Sequence, residues 1–180
     1  MKKVLIAGIG NILLGDDGVG PYAVRLLDAL YEFDEGVEIT DLGTPALDLI
    51  YKIMGLDLLV LVDSADDDQE PGTVSCYSTE EIKNQPIAAR MDPHSPALTE
   101  SLLAANMLGA APLDVELVAV TGLNYETGCA LSEPVQSAVD KAIRLILEKL
   151  SLAGVHYARR EHKPDIWWST PNQGPSAGLN

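Results

Sequence analysis

Cysteine is scarce in this chain: two in 180 residues, Cys76 and Cys129, in unrelated contexts. Without a CxxC spacing, a zinc ribbon and a dithiol redox centre are excluded by count, and two buried free thiols in a reducing cytosol are expected. Positive charge is scarce too. Lys and Arg number 12 against 27 Asp and Glu, a formal net charge of -15. Nucleic acid and anionic membranes need basic patches, so neither is expected as a partner; the excess of acid fits a cation or a basic surface. No apolar run approaches a membrane span. The opening Met1-Lys2-Lys3 leads into a run too short and glycine-interrupted for a secretory signal, so a cytoplasmic location is expected. HExxH and GxSxG are missing, as is a plausible Cys–His pair, which removes the familiar protease chemistries.

What is present suits one domain with a substantial core: 47% of residues are apolar and 22% charged. Lys3 to Ile9 reads as a strand buried on both faces, the mark of a parallel sheet covered by helices. Ala23, Leu26, Leu27, Leu30 and Tyr31 then follow helical spacing, with Pro21 in the first turn. Further strands are expected at Val37–Leu42, Asp57–Val62, Gly72–Tyr77 and Val115–Thr121, the one at Gly72–Tyr77 antiparallel at an edge. Helices are expected over Pro45–Met54, from Ser95-Pro96 through Leu108, and from Ser132-Glu133-Pro134 to Leu150. Lys83–Asp92 and Gly122–Ala130 read as loops. This alternation implies an α/β three-layer sandwich, with a mostly parallel twisted sheet of about five strands and helices on both faces. The domain is expected to span residues 1–152. Residues 153–180, with Trp167, Trp168 and the Arg159-Arg160 pair, read as a flexible C-terminal extension.

The chain is organised around Gly8-Ile9-Gly10-Asn11-Ile12-Leu13-Leu14-Gly15-Asp16-Asp17-Gly18-Val19-Gly20. Glycine-rich strand-to-helix turns usually cradle a phosphate on the helix N-terminus. Here two carboxylates, Asp16 and Asp17, occupy the place of the anion, so the acids either cap the helix or hold a cation. In an open α/β sheet, sites form at the carboxyl ends of the strands. Asp41 ends the second strand and Asp63 the third. His94, the one histidine ahead of the tail, just precedes a helix. Two carboxylates and an imidazole make a three-ligand set for zinc or nickel. Capping or rim solvation accounts for each acid taken singly, and Arg25 or Arg90 is available to neutralise Asp16. The acids together on one edge favour the metal.

These motifs resemble the nickel–iron hydrogenase maturation endopeptidases, which process the hydrogenase large subunit. The likeness lies in the Gly8–Gly20 stretch, Asp41-Leu42-Gly43-Thr44, Val62-Asp63-Ser64, His94-Ser95 and Gly128-Cys129-Ala130-Leu131-Ser132, and covers roughly Lys3 to Leu150. It implies an endopeptidase that removes a short C-terminal extension from the large-subunit precursor once nickel is inserted. By the same likeness Asp17, Asp63 and His94 are the metal ligands, with nickel supplied by the precursor and other divalent metals able to substitute. Asp41 is a further functional candidate, as base or as peptide-orienting group. The family often carries Gly-Gly-Thr where this chain has Leu42-Gly43-Thr44, a side chain positioned to narrow the cleft. Asp17 is expected as ligand with Asp16 as its supporting cap, and the glycines at 8, 10, 18, 20 and 43 as a backbone open to an extended peptide. A monomer acting on the precursor is expected. The competing readings are a nickel-binding maturation chaperone without peptidase activity and a nucleotide-binding α/β module.

Overall fold

The structure, a computed structural model, describes residues 2–45, 49–84, 96–128 and 130–161. In chain order the elements are β1 (Val4–Ile9), a 3-10 turn (Gly15–Gly18), α1 (Val19–Leu30), β2 (Tyr31–Phe33), β3 (Val37–Gly43) and α2 (Leu49–Ile53). There follow β4 (Leu58–Ala65), β5 (Val74–Ser78), α3 (Thr79–Asn84), α4 (Pro96–Met107), β6 (Asp114–Thr121), α5 (Glu133–Leu152) and β7 (Tyr157–Arg159). The main sheet has five strands in the order β3-β1-β4-β6-β5. The first four run parallel, and β5 pairs antiparallel with β6 at the edge. This is the expected three-layer α/β arrangement.

Strand alternation sorts the core into two layers. Val4 and Ile6 of β1, with Leu58, Val60 and Val62 of β4, face the layer formed with α1 and α5. Leu5, Ala7 and Ile9, with Leu59 and Leu61, face the layer built on α2 and α4. Since successive side chains point to opposite faces, unbroken apolar runs at Val4–Ala7 of β1 and Leu58–Val62 of β4 are what covering both faces demands. The helix α5 buries Val135, Ala138, Val139, Ala142, Ile143, Ile146 and Leu150, the stripe its spacing predicts. It stops where Gly154 takes φ 73°, a left-handed conformation that glycine adopts without Cβ strain. Among the described residues, no helix is long and apolar enough to cross a membrane.

Two local departures have physical causes. Expected to close a helix, Tyr31 instead turns extended and starts β2, which pairs antiparallel with β7. Tyr31 and Tyr157 meet edge-on with ring centroids 5.7 Å apart, Phe33 lies 6.1 Å from Tyr157, and Arg160 pairs with Glu32 at 2.8 Å. Residues 153–161, grouped by composition with the extension, thus include a paired strand, and Val155 is buried in the core. The second departure is α3, which fills the gap between the expected Gly72–Tyr77 strand and the Lys83–Asp92 loop and runs into the start of that loop. At its start, Glu81 accepts bonds from the Ser78 amide (2.8 Å) and hydroxyl (2.7 Å), which holds its carboxyl below the usual range.

Candidate active site at the carboxyl edge of the sheet

From β1 the chain crosses to β3 on one side, while β4 lies on the other and leads outward to β6. The carboxyl ends of β1 and β4 therefore flank the topological switch point, where open α/β sheets place their ligands. Gly8 is level with Val62, so Asp63 stands one step beyond the paired part of β1. Asp17 reaches the same edge from the 3-10 turn after β1.

Both carboxylates are buried, Asp17 at 3% and Asp63 at 1% exposure, and one residue holds the two. Ser64 donates its amide N–H to Asp63 Oδ1 (2.8 Å) and its hydroxyl to Asp17 Oδ1 (3.1 Å). The pleat explains how. Asp63 continues the face of Leu59 and Leu61 toward α2 and α4, which puts Ser64 on the α1 face with Asp17. Asp17 Oδ2 also accepts the Asn11 amide at 2.6 Å, so the turn folds back on its own acid. Ser64 is further linked to Tyr125, whose hydroxyl donates to the Ala65 carbonyl at 2.8 Å. Burial, with Asp66 adding, pushes the Tyr125 phenol up to about 12.

Asp16 caps neither helical segment. Its fully buried carboxylate instead accepts bonds from across the fold: Leu123 N (2.8 Å), Asn124 N (2.9 Å), Ser132 N (2.6 Å) and Ser132 Oγ (2.8 Å). The expected helix-capping role is corrected for a simple reason. Neither the 3-10 turn nor α1 takes a side-chain cap, while the loop after β6 brings it three amides. The staple joins the turn carrying Asp17 to that loop and to the start of α5.

Asp41 is placed differently. It shares the α1 face with Val37 and Ile39, opposite to Asp63, and its Oδ2 accepts the Arg25 guanidinium at 2.6 Å. Its Oδ1 accepts the Gly43 amide at 2.9 Å. Arg25 therefore serves Asp41; Asp16 takes its bonds from the loop amides and Ser132. Leu42 packs against the core on the other face. His94, Arg90 and Cys129 lie outside the described residues. Among the described residues, no group of three or more His, Cys, Asp or Glu is placed to hold a metal ion.

The glycines serve the protein's own packing. A Cβ on Gly8 would lie 2.3 Å from Gly20 O, and one on Gly20 would lie 2.2 Å from Ile9 O and 2.4 Å from Val62 O. At Gly10 it would lie 1.8 Å from Asp17 O, and at Gly18 3.1 Å from Ile12 Cα. The expectation that five glycines open the backbone to a peptide is thus corrected at four of them. Of these five, Gly43 (φ 58°) alone has open space around it.

The family profile described as hydrogenase maturation protease matches residues 21–149. The hydrogenase expression/formation protein HoxM of Azotobacter vinelandii is 35% identical over 160 residues, spanning 88% of this chain and 77% of the relative. The chain belongs to the hydrogenase maturation protease family. The hydrogenase 2 maturation protease of Escherichia coli is 29% identical, covering 88% of this chain and 97% of its own. The solved structure of the Escherichia coli hydrogenase maturating endopeptidase HybD superposes with a TM-score of 0.82 over 88% of this chain and 98% of that one, at 29% identity. HybD from Thermococcus kodakarensis, at 28% identity, gives 0.67 over 82% and 98%. This maturation protease is accordingly a peptidase. The sequence motifs assign no role to Ser64 or Tyr125. Ser64 was legible, because a hydroxyl directly after a strand-end acid must face the other side of the sheet.

Proposed function

We propose that this protease removes the C-terminal extension of a nickel–iron hydrogenase large-subunit precursor after nickel insertion, recognising the nickel the precursor carries through Asp17, Asp63 and His94. The reaction is assigned to a monomer in the cytoplasm. The observation that carries the reading is the pair of buried carboxylates from two different segments, held by one serine at the topological switch point. Two carboxylates brought together in a buried setting favour the approach of a cation. Each carboxylate oxygen has two acceptor positions, so being hydrogen-bonded and meeting a cation are compatible. Carboxylate and imidazole donors suit nickel and other borderline divalent ions, and such an ion polarises a nearby carbonyl or water.

In this proposal Ser64 and Asn11 orient Asp17, and the Ser64 amide orients Asp63. Asp41 orients rather than accepts protons, since Arg25 and the Gly43 amide engage both of its oxygens. It sets the turn at Gly43, whose carbonyl accepts the Gly10 amide at 2.8 Å. The nucleotide-binding reading loses support where Gly8 and Gly20 are filled by backbone. The test is mass spectrometry of a nickel-loaded precursor after incubation with Asp17→Ala, Asp63→Ala or His94→Ala. The expected result is an intact precursor with each variant, each retaining the wild-type circular dichroism spectrum. Normal shortening by all three would sink the proposal.

A further inference from the structure

Beside the buried acids stands an apolar feature that neither the core nor the carboxylates use. Ile12, Leu13 and Leu123 are 37%, 55% and 58% exposed, on two segments that are laced together. Leu13 N is fixed by Asn11 Oδ1 (3.0 Å), and the Leu13 carbonyl accepts Gly128 N at 2.8 Å. The Gly15 amide returns to the Gly128 carbonyl at 2.9 Å, Asp16 N bonds the Asn124 carbonyl at 2.8 Å, and Leu123 N bonds Asp16 Oδ2 at 2.8 Å. The three side chains thus ride on backbone that is already fixed, so covering them costs little ordering of this chain. Their surroundings carry one sign of charge. Residues 10–18, 63–72 and 121–128 contain no Lys or Arg, and beyond the buried Asp16, Asp17 and Asp63 they bring Asp66, Asp67, Asp68, Glu70 and Glu126 to the surface.

We propose that Ile12, Leu13 and Leu123 form the docking ridge for the stretch of precursor chain that flanks the cleaved bond. That stretch is an extended segment, apolar where it covers the ridge and of net positive charge around it. The assignment rests on the function proposed above. Two observations choose this occupant. The ridge is continuous with the candidate site, because the turn that displays Ile12 and Leu13 also binds Asp17 through the Asn11 amide (2.6 Å). The acidic rim complements a basic segment and repels an acidic one.

Steady-state cleavage of the nickel-loaded precursor by the full-length protein tests it, with Leu13→Ser, Leu123→Ser and, as control, Leu152→Ser. Leu152 is 77% exposed at the far end of α5. The expected result is a KM raised about tenfold by each ridge variant, as loss of one apolar contact implies, with kcat within about twofold. Leu13→Met restores KM, Leu152→Ser leaves both constants unchanged, and added salt raises the wild-type KM. An unchanged KM in both ridge variants overturns the ridge assignment while the protease reading stands. An equal rise with Leu152→Ser, or a fall confined to kcat, also overturns it. A wild-type protein that leaves the precursor whole overturns the protease reading and the ridge together.

Discussion

Replacing Asp16 by alanine is expected to cost about 3–4 kcal/mol of folding free energy, although among the described residues it neither caps a helix nor pairs with a base. The carboxylate is completely buried and accepts four hydrogen bonds, three from the Leu123, Asn124 and Ser132 amides and one from the Ser132 hydroxyl. A bond to a charged group contributes roughly 1.5–3 kcal/mol, but such terms do not add, and water can reach part of the loop once the side chain is gone. The total therefore falls well short of the sum and still takes a large share of a stability of about 5–15 kcal/mol. Asp16→Asn separates the oxygens. Oδ2 takes Leu123 N, Asn124 N and Ser132 Oγ, whereas Oδ1 takes Ser132 N. An amide can keep the first three and then sets its own N–H₂ against the Ser132 amide, for a loss of about 2 kcal/mol. Urea denaturation followed by circular dichroism reads both. A loss below about 1 kcal/mol for Asp16→Ala, or equal losses for the two variants, would refute the staple.

Ser64→Ala removes the hydroxyl that holds Asp17, so single-turnover precursor cleavage is expected to slow by about tenfold, with stability reduced by only about 1–2 kcal/mol. Gly20→Ala drives a Cβ against the carbonyls of Ile9 and Val62, which belong to strand backbone and cannot swing aside. The expected loss is about 2–3 kcal/mol in the same urea titration. The Cys76 thiol is pushed from its ordinary 9.0 to about 11, by burial first, with Glu116 and Glu81 adding to this and Lys149 opposing it. Because the folded state holds this proton more tightly than the unfolded chain, stability is retained below pH 9.0 and lost as pH rises toward about 11. Cys76→Ser is expected to flatten that alkaline limb, and iodoacetamide labelling of Cys76 in the native protein to stay slow at pH 8, followed by peptide mass spectrometry.

How much of this was legible in the sequence depended on the range of the interactions. Unbroken apolar runs at Val4–Ile6 and Leu58–Val62 specify strands covered on both faces. The α5 stripe from Val135 to Leu150 specifies its helix, since each pattern carries its own period. The switch point follows once those elements are ordered, and it assembles Asp17 and Asp63. The partners of Asp16 and Asp41 were not legible. Asp16 bonds to residues 107–116 positions away, and the choice of Asp41 by Arg25 depends on which face of β3 meets α1. The β2–β7 ribbon escaped for the same reason: three residues after α1 and three after α5 have no pattern until Tyr31 meets Tyr157. The glycines misled because close approach was assigned to a ligand, when α1 and the ends of β1 and β4 already fill that space.

Nickel recognition by the buried carboxylates is the central claim, and comparing one precursor in two states tests it most directly. The large-subunit precursor, loaded with nickel or kept nickel-free, is incubated with the wild-type protein, and its mass is measured over time. The account predicts loss of the C-terminal extension from the nickel-loaded precursor alone, with Asp63→Ala leaving both forms intact. Equal shortening of the nickel-free precursor, or shortening by Asp63→Ala at the wild-type rate, would contradict it.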